Sequence, residues 1–128
     1  MPSSAQELIE LVETYFRRVD AGEVDTVVAL MSEDVVFEVV THGIRHEGRE
    51  AVRAMFRRRL ETYANGWHGN FRHLADAERG WVTSRFDVVR NHRNGERDTM
   101  NNINFFEFEG PLIRAISVWF ANPVTSLA

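Results

Sequence analysis

Apolar residues recur at the three- and four-residue spacing of an amphipathic helix in three stretches of the chain. The first begins at residues 4–7 (Ser-Ala-Gln-Glu), which have the spacing of a capping box, and ends at Gly22. The second is the short segment 24–31, and the third is the segment 50–63. The spacing therefore predicts three helices, each with one buried stripe.

Runs rich in β-branched and aromatic residues predict strands over residues 34–40 and 71–77, and three more within residues 81–120. The last three strands reverse at Asn94-Gly95, which suits a two-residue hairpin, and at residues 109–111 (Glu-Gly-Pro). The pattern thus ends in a meander of antiparallel strands.

The segments between these elements are predicted to be irregular. Residues 41–48 form a loop, and residues 64–70, in which two glycines flank Trp67 and His68, form a mobile flap. The tail 123–128 is expected to be loose.

The predicted order is helix, helix, strand, helix and then four consecutive antiparallel strands. Helices on one face of a curved antiparallel sheet make an α+β fold, here a single domain over residues 1–128. Strong curvature leaves a pocket between the concave face of the sheet and the helices, where a ligand commonly binds.

Composition and charge narrow the classes of partner. A net charge of −4 and a pI of about 5.7 argue against nucleic-acid binding. The absence of cysteine excludes disulfides, thiolate metal ligands and cysteine nucleophiles. His42, His46 and Glu47 share one loop without the spacing of a helical metal site, so neither a metal nor another cofactor is expected. No signal peptide or membrane span is visible, and a cytoplasmic protein is expected.

One predicted strand carries an arginine and an aspartate two residues apart on one face, because strand side chains alternate. That face holds Trp81, Thr83, Arg85, Asp87 and Val89, and the other holds Val82, Ser84, Phe86 and Val88. A buried ion pair seldom repays its desolvation in stability, so Arg85 and Asp87 are predicted to face the pocket and act there. The alternative is an ion pair with a purely structural role, or one whose two side chains are both exposed to solvent at the mouth of the pocket.

The chain resembles the nuclear transport factor 2-like superfamily in its order of elements and in two short sequences, Val-Asp-Ala-Gly-Glu at 19–23 and Gly-Arg-Glu at 48–50. That superfamily includes ketosteroid isomerases, limonene epoxide hydrolases, scytalone dehydratases and SnoaL-like polyketide cyclases. The resemblance covers about residues 7–122 and implies a cone-shaped fold, with three N-terminal helices packed on a strongly curved sheet that encloses a pocket. Members differ in what lines the pocket, so the fold leaves the reaction open.

Compared with the ketosteroid isomerases, Tyr15 matches the tyrosine that holds the substrate oxyanion. Val39 stands at the position of the catalytic base, and Asn104 stands at that of a protonated aspartate, where an amide still donates a hydrogen bond. The resemblance implies an oxyanion site without the usual base.

Compared with the limonene epoxide hydrolases, residues 83–90 resemble the strand whose aspartate protonates the epoxide and whose arginine bridges two carboxylates. Val118 stands at the second carboxylate, and Phe37 and Val39 stand where a tyrosine and an asparagine hold the water. The resemblance implies a general acid at Asp87 without its water-activating partners.

Other polar residues are candidates on the predicted inward faces. His73 matches the strand on which scytalone dehydratase and SnoaL-like dehydratases place a catalytic histidine, although a satisfied core histidine is the alternative. Asn102 and Asn104 share one strand face and need hydrogen-bond partners, from a ligand or from a polar network that serves only the fold. The run Arg57-Arg58-Arg59 is predicted to face solvent.

These residues lead to one functional hypothesis, a cofactor-free enzyme that acts on a small apolar oxygenated molecule by isomerisation, dehydration, cyclisation or epoxide opening. Asp87 would transfer a proton with Arg85 orienting it. Tyr15 and Asn104 would bind a substrate oxygen, and His73 would be a second acid or base. The predicted pocket wall comprises Phe37, Val39, Met55, Phe56, Trp81, Asn102, Phe106, Ile116, Val118 and Phe120.

Two alternatives stay open. A binding protein without chemistry fits the apolar residues Val39 and Val118, and a protein-interaction module fits an apolar outer sheet face. That outer face is predicted to hold Val82, Phe86, Val88, Ile103, Phe105 and Trp119. Such a patch normally marks an interface, and sheet-to-sheet homodimers are common in the superfamily, so a homodimer is predicted.

Overall fold

The computed structural model, which describes residues 3–121, contains three α-helices and six β-strands. In chain order they are α1 (Ala5–Asp20), α2 (Val24–Val28), β1 (Met31–Val39), β2 (Ile44–Glu47), α3 (Arg49–Thr62), β3 (Tyr63–Asp76), β4 (Trp81–His92), β5 (Arg97–Glu109) and β6 (Leu112–Trp119). A short 3₁₀ turn, Val40–His42, separates β1 from β2. None of the helices within residues 3–121 has the length and apolar composition that a bilayer crossing requires.

The six strands form one curved sheet in the order β2-β1-β6-β5-β4-β3. All neighbours are antiparallel except β1 and β6, which run parallel. Helix α1 packs against β3 and β4, and α3 packs against β1, β2 and β3. The predicted α+β fold, with helices on one face of a mainly antiparallel curved sheet, is confirmed.

Helix α1 begins as its sequence predicts. The Ser4 hydroxyl accepts a hydrogen bond from the backbone N–H of Glu7 at 3.1 Å, and the Glu7 carboxylate accepts one from the Ser4 N–H at 3.3 Å. Two backbone donors that the first helical turn leaves unpaired are thereby satisfied. The helix buries Leu8, Val12, Tyr15 and Phe16.

Three predicted boundaries were wrong. The segment 24–31 leaves its helix after Val28, and Met31 already belongs to β1. The predicted loop 41–48 contains β2, which pairs with β1. The predicted flap 64–70 is part of β3, whose backbone pairs with β4 along this stretch. Hydrogen bonds to a neighbouring strand satisfy the backbone N–H and C=O groups of these segments. The sequence of a segment by itself does not show that such a neighbour is present. The expectation of a loose tail at 123–128 falls outside the described residues.

The hairpin between β4 and β5 contains one more residue than its Asn94-Gly95 signal predicts. The backbone N–H of His92 donates to the carbonyl of Glu96 at 2.8 Å, so three residues, not two, form the loop. Gly95 has a φ of +94°, which closes such a loop without a Cβ penalty. The extra residue shifts the register by one, so that Phe86 lies opposite Asn102 and Ser84 opposite Asn104.

This register reverses the predicted faces of β4. Val82, Ser84, Phe86 and Val88 are buried against the helices, whereas Trp81 and Arg85 are exposed and Asp87 is half-buried on the outer face. The ring of Phe86 lies 4.6 Å from that of Phe16. The predicted orientation of Arg85 and Asp87 towards the pocket was therefore wrong. Facing two charged groups into the core would cost several kcal/mol per ion, and burying this phenylalanine and its valine neighbours avoids that cost.

A β-bulge in β3 sets the direction of the side chains that follow it. Gly69 pairs with Asp87 and Arg72 with Arg85, so three steps along β3 match two along β4. Asn70 occupies the extra position with a φ of +55°. Because the bulge changes the parity of the strand, His68 and Phe71 both face the helices although they are three residues apart.

Candidate active site

A cavity lies between the helices and the concave face of the sheet, in two adjoining chambers. The outer chamber has a volume of about 200 Å³ and is lined by the end of α1, parts of α2 and α3, and the start of β3. The inner chamber, of about 20 Å³, has room for about one water molecule. The residues that line both chambers are Val19, Arg59, His68 and Arg90. Three polar side chains therefore meet at the junction.

His68 is held in place by Asp20, the last residue of α1. Its Nδ1 lies 2.5 Å from one carboxylate oxygen of Asp20, and its backbone N–H donates to the other at 2.9 Å. The side chains of His68 and Asp20 are 9% and 21% exposed. Since a carboxylate oxygen accepts a hydrogen bond, Nδ1 carries the imidazole proton. The lone pair of Nε2 is then available to the cavity that the ring lines.

The surroundings of His68 favour its neutral form. Burial lowers the pKa of the imidazole below its ordinary value, and the positive charges of Arg59 and Arg90 act in the same direction. The hydrogen bond and charge of Asp20 oppose this shift in pKa. The result is a neutral imidazole at neutral pH, with a basic nitrogen already oriented.

Two guanidinium groups lie beside this histidine on aromatic supports. The Cζ of Arg90 is 5.3 Å from the ring centre of Tyr63 and 5.2 Å from that of Phe120. The Cζ of Arg59 is 5.6 Å from the ring centre of Phe56. Within residues 3–121, neither guanidinium forms an ion pair with a carboxylate. Burial, and then the charge of Arg90, lower the pKa of Arg59 to about 10, so Arg59 remains charged at neutral pH.

Tyr15 reaches the inner chamber from the middle of α1. Its ring packs edge-on against Phe16 and Phe106, with centres 5.0 and 5.5 Å away. Burial raises the pKa of the phenol above its ordinary value, and the charges of Arg59 and Arg90 only partly oppose this. The hydroxyl therefore stays protonated and can donate a hydrogen bond.

Asn102 and Asn104 point into the inner chamber from β5, as predicted, and are 2% and 4% exposed. The amide oxygen of Asn102 accepts a hydrogen bond from the backbone N–H of Ala121 at 3.1 Å. The amide oxygen of Asn104 is buried and has no partner among residues 3–121. A buried amide oxygen without a hydrogen-bond partner is costly in free energy, and a bound ligand can supply the hydrogen bond that Asn104 lacks.

The predicted pocket wall divides into three groups. Phe37, Phe56, Asn102, Val118 and Phe120 line the cavity. Val39, Met55, Phe106 and Ile116 are buried in the core that supports it. Trp81 was placed wrongly, because it lies on the outer face of β4 and is 39% exposed.

Arg85 and Asp87 belong to a polar network on the outer face, away from the cavity. The carboxylate of Asp87 accepts hydrogen bonds from the amide groups of Asn70, at 2.9 Å, and Asn101, at 2.7 Å. Arg85 donates to the amide oxygen of Asn101 at 2.7 Å. These two amides, with the nearby charges of Arg85 and Arg72, hold the pKa of Asp87 below its usual range. The arginine and aspartate are thus joined through an asparagine in a solvent-facing cluster.

His73 faces the helices as predicted, but it does not line either chamber. Its Nδ1 lies 2.7 Å from the hydroxyl of Ser84, and its Nε2 lies 3.0 Å from the carboxylate of Glu13 on α1. Both ring nitrogens are occupied, so His73 ties α1 to the sheet. Asp87 lies on the opposite face of the sheet, so His73 is not placed to act with it as a second acid or base.

The four polar residues that sequence reasoning missed carried weak signals. Arg59 falls three residues after Phe56 on the apolar stripe of α3, so its prediction as a solvent-facing residue was wrong. Arg90 shares the parity of Phe86, and Asp20 follows Phe16 by four residues on α1. His68 carried no usable signal, because the bulge after it reverses the strand parity.

Comparison with known proteins yields one family and a group of similar structures. A SnoaL-like domain model matches residues 12–116. No curated protein matches the chain.

Three solved structures illustrate the shared fold. A proposed polyketide cyclase from Xanthomonas campestris pv. campestris is 21% identical, with a TM-score of 0.84 over 91% of this chain and 92% of the other. A second proposed polyketide cyclase, from Pseudomonas putida, is 21% identical, with a TM-score of 0.79 over 87% and 89%. SalBIII, an epoxide hydrolase/cyclase-like enzyme of pyran ring formation in the polyether salinomycin, is 24% identical, with a TM-score of 0.80 over 91% and 92%.

These structures share the arrangement of three helices on a curved sheet, and the family model covers most of the chain. The protein belongs to the SnoaL-like domain family.

Proposed function

We propose that the protein is an acid–base enzyme that removes a proton next to a carbonyl group of a small apolar molecule. The observation that carries the proposal is the Asp20–His68 pair, which orients a neutral imidazole at the junction of the two chambers. His68 is the base and Asp20 positions it. This assignment replaces Asp87, which faces away from the cavity.

The proposed reaction begins with transfer of a carbon-bound proton to His68 Nε2. The C–H electron pair forms a new C=C bond, and the carbonyl electron pair moves to the oxygen to give an enolate. Where a C=C bond adjoins the carbon that lost its proton, the enolate charge extends to the far carbon of that bond, and return of the proton from His68 to that carbon completes an isomerisation. Alternatively, the enolate carbon attacks a second carbonyl carbon of the same molecule and closes a ring, while the electron pair of that C=O bond moves to its oxygen, which takes the proton from His68. Asp20 stabilises the imidazolium that forms in either case.

The enolate oxygen requires donors that are already in position, because charge develops there in the transition state. The Tyr15 phenol and the Asn104 amide supply them, as the sequence resemblance implied for these two residues. Both line the inner chamber, next to the junction at which His68 lies. The apolar wall around them lowers the local dielectric and strengthens both hydrogen bonds.

Epoxide hydrolysis by a pair of carboxylates is a weaker candidate. Among the described residues, no carboxylate lines the inner chamber, and Val118 occupies the position at which relatives place the second acid. Proton abstraction by an imidazole needs neither group.

Hydrogen–deuterium exchange tests the proposal without knowledge of the natural substrate. We expect the protein to accelerate α-proton exchange of simple ketones, such as 2-tetralone and acetophenone, in D₂O followed by NMR. His68→Gln should lower the protein-dependent rate by about a hundredfold or more, the range that a positioned base contributes.

Asp87→Asn is the matched control and should leave the exchange rate unchanged. Exchange that survives in His68→Gln, or that is lost in Asp87→Asn, would contradict the assignment of the base.

A binding protein without chemistry is the second candidate. It is favoured by one observation, that Val39 and Val118 are buried and apolar where relatives carry polar groups. Native mass spectrometry of the purified protein, together with the exchange assay, separates the two. A retained apolar ligand with no acceleration of exchange for any ketone would favour carriage.

A further inference from the structure

The charges around the outer chamber do not balance. Three guanidinium groups, of Arg18, Arg59 and Arg90, line it with the two carboxylates of Asp20 and Glu23. This excess of positive charge occurs in a protein whose net charge is −4. A cavity that is positive within an acidic protein attracts anions.

Two of these charged groups are already engaged. Arg18 donates to the backbone carbonyl of Thr26 at 2.8 Å, and Asp20 accepts two hydrogen bonds from His68. The side chains of Arg59 and Arg90 make no hydrogen bond within the part of the chain that the structure describes, and the Nε of Arg90 is buried without a partner. The unpaired positive charge is therefore concentrated at the junction of the chambers.

The aromatic contacts of these arginines leave their donors free. Tyr63 and Phe120 lie against the guanidinium of Arg90, and Phe56 lies against that of Arg59. A ring holds a guanidinium through cation–π attraction and accepts none of its N–H hydrogen bonds in the guanidinium plane. A carboxylate binds a guanidinium in that plane, through two parallel hydrogen bonds. The two modes of contact are compatible.

We propose that Arg59 and Arg90 form a carboxylate-binding subsite, so that the substrate is an apolar acid that carries one negative charge. A monoanion would offset the excess charge of the cavity and satisfy the buried Arg90 Nε. The substrate assignment rests on the proposed function, because it places the carboxylate beside His68 and the reacting carbon within its reach. The binding preference itself is independent of the reaction.

Paired acids and amides provide the test. Isothermal titration calorimetry measures the binding of benzoate against benzamide and of 2-naphthoate against 2-naphthamide. We expect each carboxylate to bind about tenfold or more tightly than its amide, the size of a charge-assisted hydrogen bond. Arg59→Met and Arg90→Met should each remove most of this preference and leave amide binding nearly unchanged.

Arg58→Met is the matched control, because it removes the same charge from an exposed neighbour on α3. It should retain the preference. Arg90→Lys, which keeps the charge and loses the fork of donors, should retain part of it. Circular dichroism of each variant verifies that it is folded.

Three results would overturn the subsite: equal affinity for acid and amide in both pairs, no carboxylate binding, or a preference that both methionine variants retain. His68→Gln separates this inference from the proposed function. It should lower ketone exchange by about a hundredfold or more while keeping the carboxylate preference, so that either proposal can fail alone.

Discussion

At the scale of single residues, the cavity is defined by polar side chains that the protein orients without using all of their hydrogen-bonding atoms. His68 uses one ring nitrogen for Asp20, and Asn104 leaves its amide oxygen without a partner among the described residues. By contrast, His73 has both nitrogens bonded to protein groups. Two histidines on the same strand therefore have different roles, which follow from what remains free on each ring.

The pH dependence of exchange should report the ionisation of His68. Only the neutral imidazole accepts a proton, so activity is lost as the pH falls through the pKa of His68. Since burial lowers that pKa, the inflection should lie below about 6.5, the ordinary histidine value. A profile of exchange rate against pH measures it, and an inflection above that value would contradict the assignment.

Asp20→Asn should move the same inflection to lower pH and reduce the plateau rate. The carboxylate of Asp20 raises the pKa of His68 against the effect of burial, so its removal leaves burial unopposed. Glu13→Gln, which alters the partner of His73, is the control and should leave the position of the inflection unchanged. An unshifted inflection in Asp20→Asn would show that the pair does not act as a unit.

At the scale of elements, two local features decide which side chains reach the cavity. They are the one-residue bulge in β3 and the three-residue loop between β4 and β5. The three-residue loop between β4 and β5 sets the register that turns Phe86 inward. Because of the bulge at Asn70, the side chains of His68, before the bulge, and Phe71, after it, both face the helices. A strand shifted by one residue moves every side chain to the opposite face, so these features determine the site.

The backbone at Asn70 offers a test of the bulge. Its φ of +55° is unfavourable for most residues, so Asn70→Ala should lower the free energy of unfolding by about 1–2 kcal/mol. Asn70→Gly loses the same hydrogen bond to Asp87 but keeps the backbone freedom, and it should be markedly more stable than the alanine variant. Urea denaturation of both variants gives the comparison, and equal stabilities would argue against backbone strain.

The N-terminus of α1 offers a second test. Ser4→Ala removes the hydroxyl that accepts from Glu7 and should destabilise the protein by about 1 kcal/mol in urea denaturation. Ser3→Ala, one residue earlier, should have no such effect. A cost shared by both variants would mean that the cap is not its source.

At the scale of the whole molecule, the outer face of the sheet is the largest feature that the cavity does not explain. Of the residues predicted for it, Ile103, Phe105 and Trp119 lie there, with Ile103 and Trp119 both 41% exposed and paired across β5 and β6. Val82, Phe86 and Val88 were placed on this face wrongly, because they are buried. Trp81 joins the face instead, with its ring 5.5 Å from that of Phe105.

We propose that two copies of the chain associate through this outer face. The apolar residues adjoin the Arg85–Asn101–Asp87 network, whose positive and negative side chains offer hydrogen-bond donors and acceptors to a symmetry-related copy. Trp119→Glu should shift sedimentation from dimer to monomer. Ile44→Glu, at a similarly exposed apolar residue on β2, is the control. A monomeric wild type would reject the dimer.

The sequence by itself determined the three helices, the cap of α1, the second half of β3, the antiparallel strands β4 to β6 and the inward faces of β5 and β6. These follow from periodicities and capping groups that act between residues near in sequence. It also identified Tyr15, Asn102, Asn104, Phe37 and Val118 as cavity residues. Tertiary structure alone decided the parallel pairing of β1 with β6, the register of β4 and the union of Asp20 with His68 across 48 positions. The physical reason is that the face of a strand depends on single-residue register, which loop length and pairing with distant strands set together.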